Sequence, residues 1–233
     1  MSAVLSPPLE PPTAVETLVL ANGERMSRRE FHRLYERSPE SVRAELIGGV
    51  VHMPSPLRRQ HGAYHVSWSM LFGFYMMQTR GVEAGDNASL LLSDESEPQP
   101  DLYLRVLPEF GGQSTTTDDD YVAGAPELIV EIALSSRSVD LFAKRADYHR
   151  YGVREYLVFV PREATVFWFD LTKNEERAQP SDGIIRSAEF PGLWLNIAAI
   201  MKQDHAAALA TLQQGLATDE HRQLVERLAS RRA

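Results

Sequence analysis

The stretch from Glu127 to Leu134 is, past its first residue, a continuous apolar run broken only by Glu131. A carboxylate in such a run is expensive unless it is paired or coordinates a cation, so Glu131 needs an explanation that a surface glutamate would not. If the run is a strand, Ile129, Glu131 and Ala133 share one face and Val130, Ile132 and Leu134 the other, so Glu131 can face a site while its neighbours fill the core. The bland reading is a glutamate paired with Arg137 or Lys144 for packing alone, and this segment by itself does not decide between the two. Asp101 follows Pro100 at the start of a second predicted strand, where a fixed backbone aims a carboxylate at the end of a sheet. A Pro-Asp pair alone usually marks a turn. Its weight comes from Glu131, because two carboxylates on adjacent strands are the minimum oxygen set for Mg²⁺, which keeps several waters and is completed by substrate phosphate.

The chain contains no cysteine, which excludes disulfides, thiolate zinc sites, iron–sulfur ligation and thiol nucleophiles. Any metal is therefore held by oxygen or imidazole. His61 and His65 have the i, i+4 spacing of a shared metal site, but Gly62-Ala63-Tyr64 between them lacks the glutamate of a zincin helix, so no zinc site is expected there.

The elements that must position these residues can be read from periodicity. Ser27 and Glu30 form a capping box ahead of Phe31, Leu34 and Tyr35, which predicts a helix ending before Pro39. Ala44 to Met53 reads as a small hairpin turning at Gly48-Gly49. Tyr64, Trp68, Leu71, Phe72, Tyr75 and Met76 predict a long amphipathic helix from about Gln60 to Arg80. Strands follow at Ala88 to Leu92 and Leu102 to Leu107, then a mobile loop over 108–125 with Gly111-Gly112 and the acidic run Asp118 to Asp120. After the Glu131 strand come a helix over Val139 to Tyr151, stopped by Gly152, and strands Glu155 to Val160 and Thr165 to Asp170 with a turn at Pro161. This order implies an α/β sandwich around a mixed sheet. Residues 1–20, with Pro7, Pro8, Pro11 and Pro12, read as a flexible arm, 21–195 as the domain, and 196–233 as a helical extension with narrow leucine stripes.

The 233 residues carry 43% hydrophobic and 24% charged residues, as globular domains do. No secretory signal and no apolar run long enough for a membrane span is present, so a cytoplasmic protein without a membrane role is expected. The formal charge of −8 opposes non-specific nucleic-acid binding on average. Locally, Arg137, Lys144, Arg145, Arg150 and Arg154 outnumber Asp140 and Asp147, and Arg58 and Arg59 add to that basic excess. Such a cluster suits a phosphate backbone, although a charge run is more often a solvated helix face.

Taken in order, Glu45-Leu46-Ile47-Gly48-Gly49, Met53-Pro54-Ser55-Pro56, His61, Pro100-Asp101, Glu131-Ile132-Ala133-Leu134-Ser135, Lys144, Tyr148 and Tyr151-Gly152-Val153-Arg154-Glu155-Tyr156 resemble the Uma-type endonucleases, a prokaryotic branch of the PD-(D/E)XK superfamily. The resemblance runs from about Ser27 to Asp170. It implies a restriction-endonuclease-like core, a central mixed sheet flanked by helices. One departure from the superfamily pattern stands out: Ala133 occupies the place two after Glu131 where the motif lysine would sit, and Lys144 on the following helix is the matching residue of this branch. Lys144, Tyr148 and Tyr151, at i, i+4 and i+7, share a helical face. The activity implied is phosphodiester hydrolysis with Mg²⁺ (or Mn²⁺) held by Asp101, Glu131 and the Ile132 carbonyl, Lys144 orienting or helping to deprotonate water, and Glu45 contributing through a metal-bound water or a hydrogen bond. His61, Tyr148, Arg137 and Arg58 are the candidates for lining the substrate cleft. The partner implied is nucleic acid, DNA ahead of RNA, cut by a homodimer. The competing expectation is an inactive nuclease-like module that binds a protein or nucleic acid and keeps its carboxylates for structure.

Overall fold

In the computed structural model, residues 19–231 are described. The expected flexible arm therefore lies outside the described residues except for its last two, of which Leu20 is buried. Helix α1 (Arg28–Tyr35) is capped by the Ser27 hydroxyl, which accepts from the Glu30 amide, and buries Phe31 and Leu34. Strands β1 (Glu45–Ile47) and β2 (Val50–His52) form the predicted hairpin, turning through Gly48 and Gly49, whose φ angles of +55° and +74° suit a two-residue hairpin turn that glycine adopts without strain. Leu20, Phe31, Leu34, Ala44, Leu46 and Val51 make a small core of their own for this unit.

Helix α2 (Arg59–Gln78) is followed by β3 (Val82–Gly85), β4 (Leu90–Leu91), β5 (Leu102–Val106), β6 (Thr115–Thr116), β7 (Val122–Ala123) and β8 (Leu128–Ile132). A π-helical stretch, Val139–Lys144, runs into α3 (Arg145–Tyr151), which ends at Gly152 with φ +95°. Then come β9 (Glu155–Val160), β10 (Thr165–Asp170), β11 (Glu175–Glu176), β12 (Ile184–Arg186), β13 (Trp194–Asn196) and helices α4 (Ile197–Lys202), α5 (His205–Leu216) and α6 (Asp219–Arg231).

The main sheet has the order β11-β10-β9-β8-β5-β3; β8 and β9 are parallel and every other neighbouring pair is antiparallel, so the sheet is mixed. Every residue of β8 and β9 is buried, as the apolar run predicts for central strands covered on both faces. Leu128, Val130 and Ile132 point into the core under α2, where Trp68, Leu71, Phe72 and Tyr75 lie; each such fully buried side chain contributes roughly 1.5–3 kcal/mol. Ile129 and Ala133 point the other way, toward Leu141 and Tyr148 of the π-helical stretch and α3. That second face is the one on which Glu131 must lie.

Two expectations are corrected. Only Leu90–Leu91 of the strand expected over Ala88 to Leu92 pairs, and the segment 108–125 is not a structureless loop. It contains a 3₁₀ turn, Pro108–Phe110, and strands β6 and β7, which join β4 in a three-stranded sheet. Long-range side-chain bonds order it: Arg105 donates to the Thr115 carbonyl and Thr116 hydroxyl, Gln113 to the Ala125 and Gly152 carbonyls, and Glu127 accepts from the Val106 and Gln113 amides. At the other end of the chain, Leu212, Leu224 and Leu228 of the leucine stripes fold back into the core beneath α2. The Thr79 hydroxyl meets His221 Nε2 at 2.9 Å and fixes α6 against the end of α2.

Candidate active site

Register brings the two carboxylates together. Leu102 pairs with Val130 across the antiparallel β5–β8 ladder, so the next step outward sets Asp101 opposite Glu131. The Ile132 amide donates to Asp101 Oδ2 at 2.7 Å, and the Asp101 amide lies 3.4 Å from Glu131 Oε2. From α2, His61 Nε2 lies 3.2 Å from Asp101 Oδ1. His65, one turn on, turns instead to the Asp101 carbonyl oxygen at 3.0 Å, so the two imidazoles do not share one point.

The amine arrives from the opposite face. Lys144 Nζ, buried at the junction of the π-helical stretch and α3, lies 2.8 Å from Glu131 Oε1 and 2.7 Å from Glu45 Oε2. Tyr148, one turn further, donates to Glu131 Oε1 at 2.9 Å. The main-chain amide of Gln99 in turn donates to Glu45 Oε2 at 3.1 Å, tying the hairpin glutamate to the segment before Asp101. Ala133 is buried among apolar residues, so the place of the motif lysine on the strand is a core position, and the ammonium comes from the helix.

Sequence reasoning missed Asp140. It is 1% exposed, its Oδ2 accepts from the Ser136 hydroxyl, and its Oδ1 faces Lys144 Nζ at 3.9 Å with no hydrogen-bond partner among the described residues. The signal was present, because Asp140 stands four residues before Lys144. Read as a surface counter-charge, it carried no weight. The widened π turn is what brings both side chains under the sheet.

Three carboxyl groups (Glu45, Glu131, Asp140) thus surround one ammonium, and Asp101, paired with the His61 imidazole, lies beside Glu131. Burial pushes the Glu131 carboxyl well above the usual range; the Lys144 charge pulls it down, and Asp140, Asp101 and Glu45 push it up further. Burial likewise lifts Asp140, to about 6, against the pull of Lys144 and Ser136. Burial would depress Lys144, yet Glu131, Glu45 and Asp140 outweigh it and hold the ammonium firmly protonated. Asp101 goes the other way: burial raises it, but the His61 hydrogen bond and charge, the Ile132 amide and Lys144 bring it below its ordinary value. The Asp101–His61 contact also raises His61 against its own burial.

Among the described residues no three His, Asp or Glu side chains converge in the manner of a complete metal cage. The donors present are nonetheless hard oxygens on opposed strand positions, Asp101 and Glu131, with the Ile132 carbonyl, which accepts from Leu134 N at 3.1 Å and keeps a second lone pair. Excess negative charge around Lys144 and a bare buried oxygen on Asp140 favour a further cation. This donor set fits Mg²⁺, which takes few protein ligands and retains water.

Two of the sequence candidates lie apart from the cluster. Arg137 pairs with Glu163 at 2.7 Å and covers the Phe167 ring, and Arg58 is exposed just before α2. Other members of the basic excess are also engaged: Arg150 with Glu95, Arg154 with Glu189, and Arg145 over the Phe169 ring. The two exposed ion pairs, Arg150–Glu95 and Arg154–Glu189, are each worth little.

Comparison with known proteins bears on the family and the fold. Residues 28–198 match the family Uma2, described as "Putative restriction endonuclease". A crystal structure from Anabaena variabilis, described as "a putative nuclease belonging to DUF820", superposes with a TM-score of 0.58 over 73% of this chain and 96% of that one, at 16% identity. That likeness shows the restriction-endonuclease-like fold. No curated protein matches. With a family match over most of the chain, the protein belongs to the Uma2 family.

Proposed function

We propose that this protein is a metal-dependent endonuclease that hydrolyses phosphodiester bonds in DNA. The observation that carries the reading is the convergence of Asp101, Glu131 and Lys144 from two paired strands and the next helix. Asp101, Glu131 and the Ile132 carbonyl are the residues that would hold Mg²⁺ or Mn²⁺. Bound there, such an ion supplies positive charge at the scissile phosphate and acidifies a water. The protein's own part is positioning. The Ile132 amide and His61 lock the two Asp101 oxygens, Tyr148 fixes the rotamer of Glu131, and Glu45 steadies the ammonium of Lys144. That ammonium donates hydrogen bonds to the attacking water or a phosphate oxygen and offsets the charge that builds up in the transition state.

DNA as substrate rests on the family's description as restriction endonucleases. A second copy of the chain for a two-strand cut, and a cytoplasmic location, belong to the same reading. Among the described residues no helix is long and apolar enough to cross a membrane. The competing reading, a module that binds partners without cleaving, draws on the closed ion pairs of Lys144.

Plasmid cleavage separates the two. Nicking that requires Mg²⁺ or Mn²⁺ and is lost in folded Asp101→Ala, Glu131→Ala and Lys144→Ala variants supports the nuclease. Cleavage that survives all three substitutions, or a pure protein that neither cleaves nor takes up metal, overturns it.

A further inference from the structure

Asp140 has no part in the chemistry just described, yet it is the most deeply buried carboxylate of the cluster, at 1% exposure. Its two oxygens are treated differently. Oδ2 is fixed by the Ser136 hydroxyl one turn earlier, which sets the plane of the carboxylate. Among the described residues Oδ1 has no hydrogen-bond donor, and it lies 3.9 Å from Lys144 Nζ. A buried, unpaired acceptor is costly. The Asp140 main chain is also held, its carbonyl accepting from the Tyr156 hydroxyl at 3.0 Å, so the carboxylate cannot drift.

Lys144 meanwhile spends one of its three N–H donors on Glu131 Oε1, an oxygen of the same carboxylate assigned above to the metal. A carboxylate that turns to a cation loses charge density toward its lysine. The ammonium then needs a replacement acceptor within a short movement, or it stays and competes with the ion. The bare Asp140 Oδ1 lies one small rotation of the lysine side chain away.

We infer that Asp140 is a positioning residue that receives the Lys144 ammonium when Glu131 commits to a divalent cation, so that Lys144 has two stations, Glu131–Glu45 without the ion and Asp140–Glu45 with it. This inference rests on the proposed nuclease reading. No covalent step is involved. The ammonium keeps its charge, stays tethered by Glu45 throughout, and exchanges only its other contact, Glu131 for Asp140.

The test is Mn²⁺ binding measured by calorimetry on the full chain, in wild type, Asp140→Asn, Lys144→Met and the double variant. Asp140→Asn keeps shape but offers a poorer acceptor, so Mn²⁺ binding is expected to weaken roughly tenfold, as for loss of a partner behind a metal ligand. In the Lys144→Met background no ammonium has to move, and the same substitution is expected to matter by less than about twofold. If Asp140 acts only through its negative charge, the weakening is the same in both backgrounds, and the two-station inference falls while metal binding stands. Wild type that binds no Mn²⁺ overturns the nuclease reading and this inference together. Should Asp140→Asn fail to fold, Ser136→Ala, which frees Oδ2, replaces it and is expected to weaken binding by about threefold in the wild-type background only. Equal weakening there in both backgrounds is likewise a contradiction.

Discussion

Glu131 and Glu155 sit on adjacent parallel strands, β8 and β9, and are 3% and 2% exposed, yet the protein satisfies them in opposite ways. Around Glu155 the donors are neutral and directional: the Trp168 indole N–H at 2.7 Å, the Ser187 hydroxyl, and the Ala188 and Glu189 amides. Among the described residues no ammonium or guanidinium touches it, and it pins the 187–189 segment to the sheet. Around Glu131 the principal donor is a lysine shared with Glu45 and Asp140, and the negative charge of the cluster exceeds the positive. Depth of burial is therefore not what marks a site. A carboxylate closed off by neutral donors is finished as structure, whereas one held by a contested cation can release it for a ligand.

The largest way to break this contrast is to remove the cation. Lys144→Met strands the buried carboxylates Glu131 and Asp140 beside Glu45 and is expected to cost roughly 3–5 kcal/mol in urea unfolding at pH 7. A variant as stable as wild type would place the ammonium in solvent and void the contrast.

Next comes pH. The Asp140 carboxyl, raised by burial to about 6, binds a proton in the folded protein that the unfolded chain, near pKa 3.9, has already released. Its contribution is complete below pH about 4 and is lost as the pH rises through about 6, a change of at most roughly 3 kcal/mol. Without metal, wild type should lose stability relative to Asp140→Asn across that window; parallel curves would show that Asp140 titrates normally. Asp101 has the opposite sign, because its lowered pKa stabilises the fold above the ordinary carboxylate range and is lost as the pH falls through the lowered value.

Glu155→Gln sharpens the comparison from its quiet side. It should cost about 1–3 kcal/mol of stability and, under the proposed function, leave metal-dependent cleavage within about twofold, whereas Glu131→Gln is expected to abolish it. Loss of cleavage in a folded Glu155→Gln would make the two glutamates alike. The smallest effects come from single contacts. Tyr148→Phe removes one hydrogen bond to Glu131, worth about 1 kcal/mol, and Arg137→Ala breaks an exposed pair with Glu163, worth less than about 0.5 kcal/mol in thermal unfolding.

Much of this was legible in the chain itself. A charged residue in an apolar run pointed to Glu131, and its placement on the face opposite Val130 and Ile132 followed from the alternation of a strand. The hairpin at Gly48-Gly49 and strands β9 and β10 were set by local turn chemistry and β-branched residues. What escaped depended on distant partners. The order of 108–125 comes from Arg105, Gln113 and Glu127, none of which marks a strand locally, while Gly111-Gly112 and Asp118 to Asp120 mimic a loop. Asp140 escaped because its role depends on the π turn, which changes which side chains share a helical face and leaves no mark in the spacing of apolar residues. The leucine stripes of α5 and α6 showed that something covers them, but only the fold shows that it is α2 and the sheet.

The central claim is that Asp101 and Glu131 hold a divalent cation beside the Lys144 ammonium. A crystal soaked in Mn²⁺ and measured at the manganese absorption edge tests it directly. An anomalous peak is expected between the two carboxylates, within ligand distance of both and of the Ile132 carbonyl, with Lys144 Nζ turned toward Asp140. Manganese bound elsewhere while Lys144 still closes on Glu131 would contradict it.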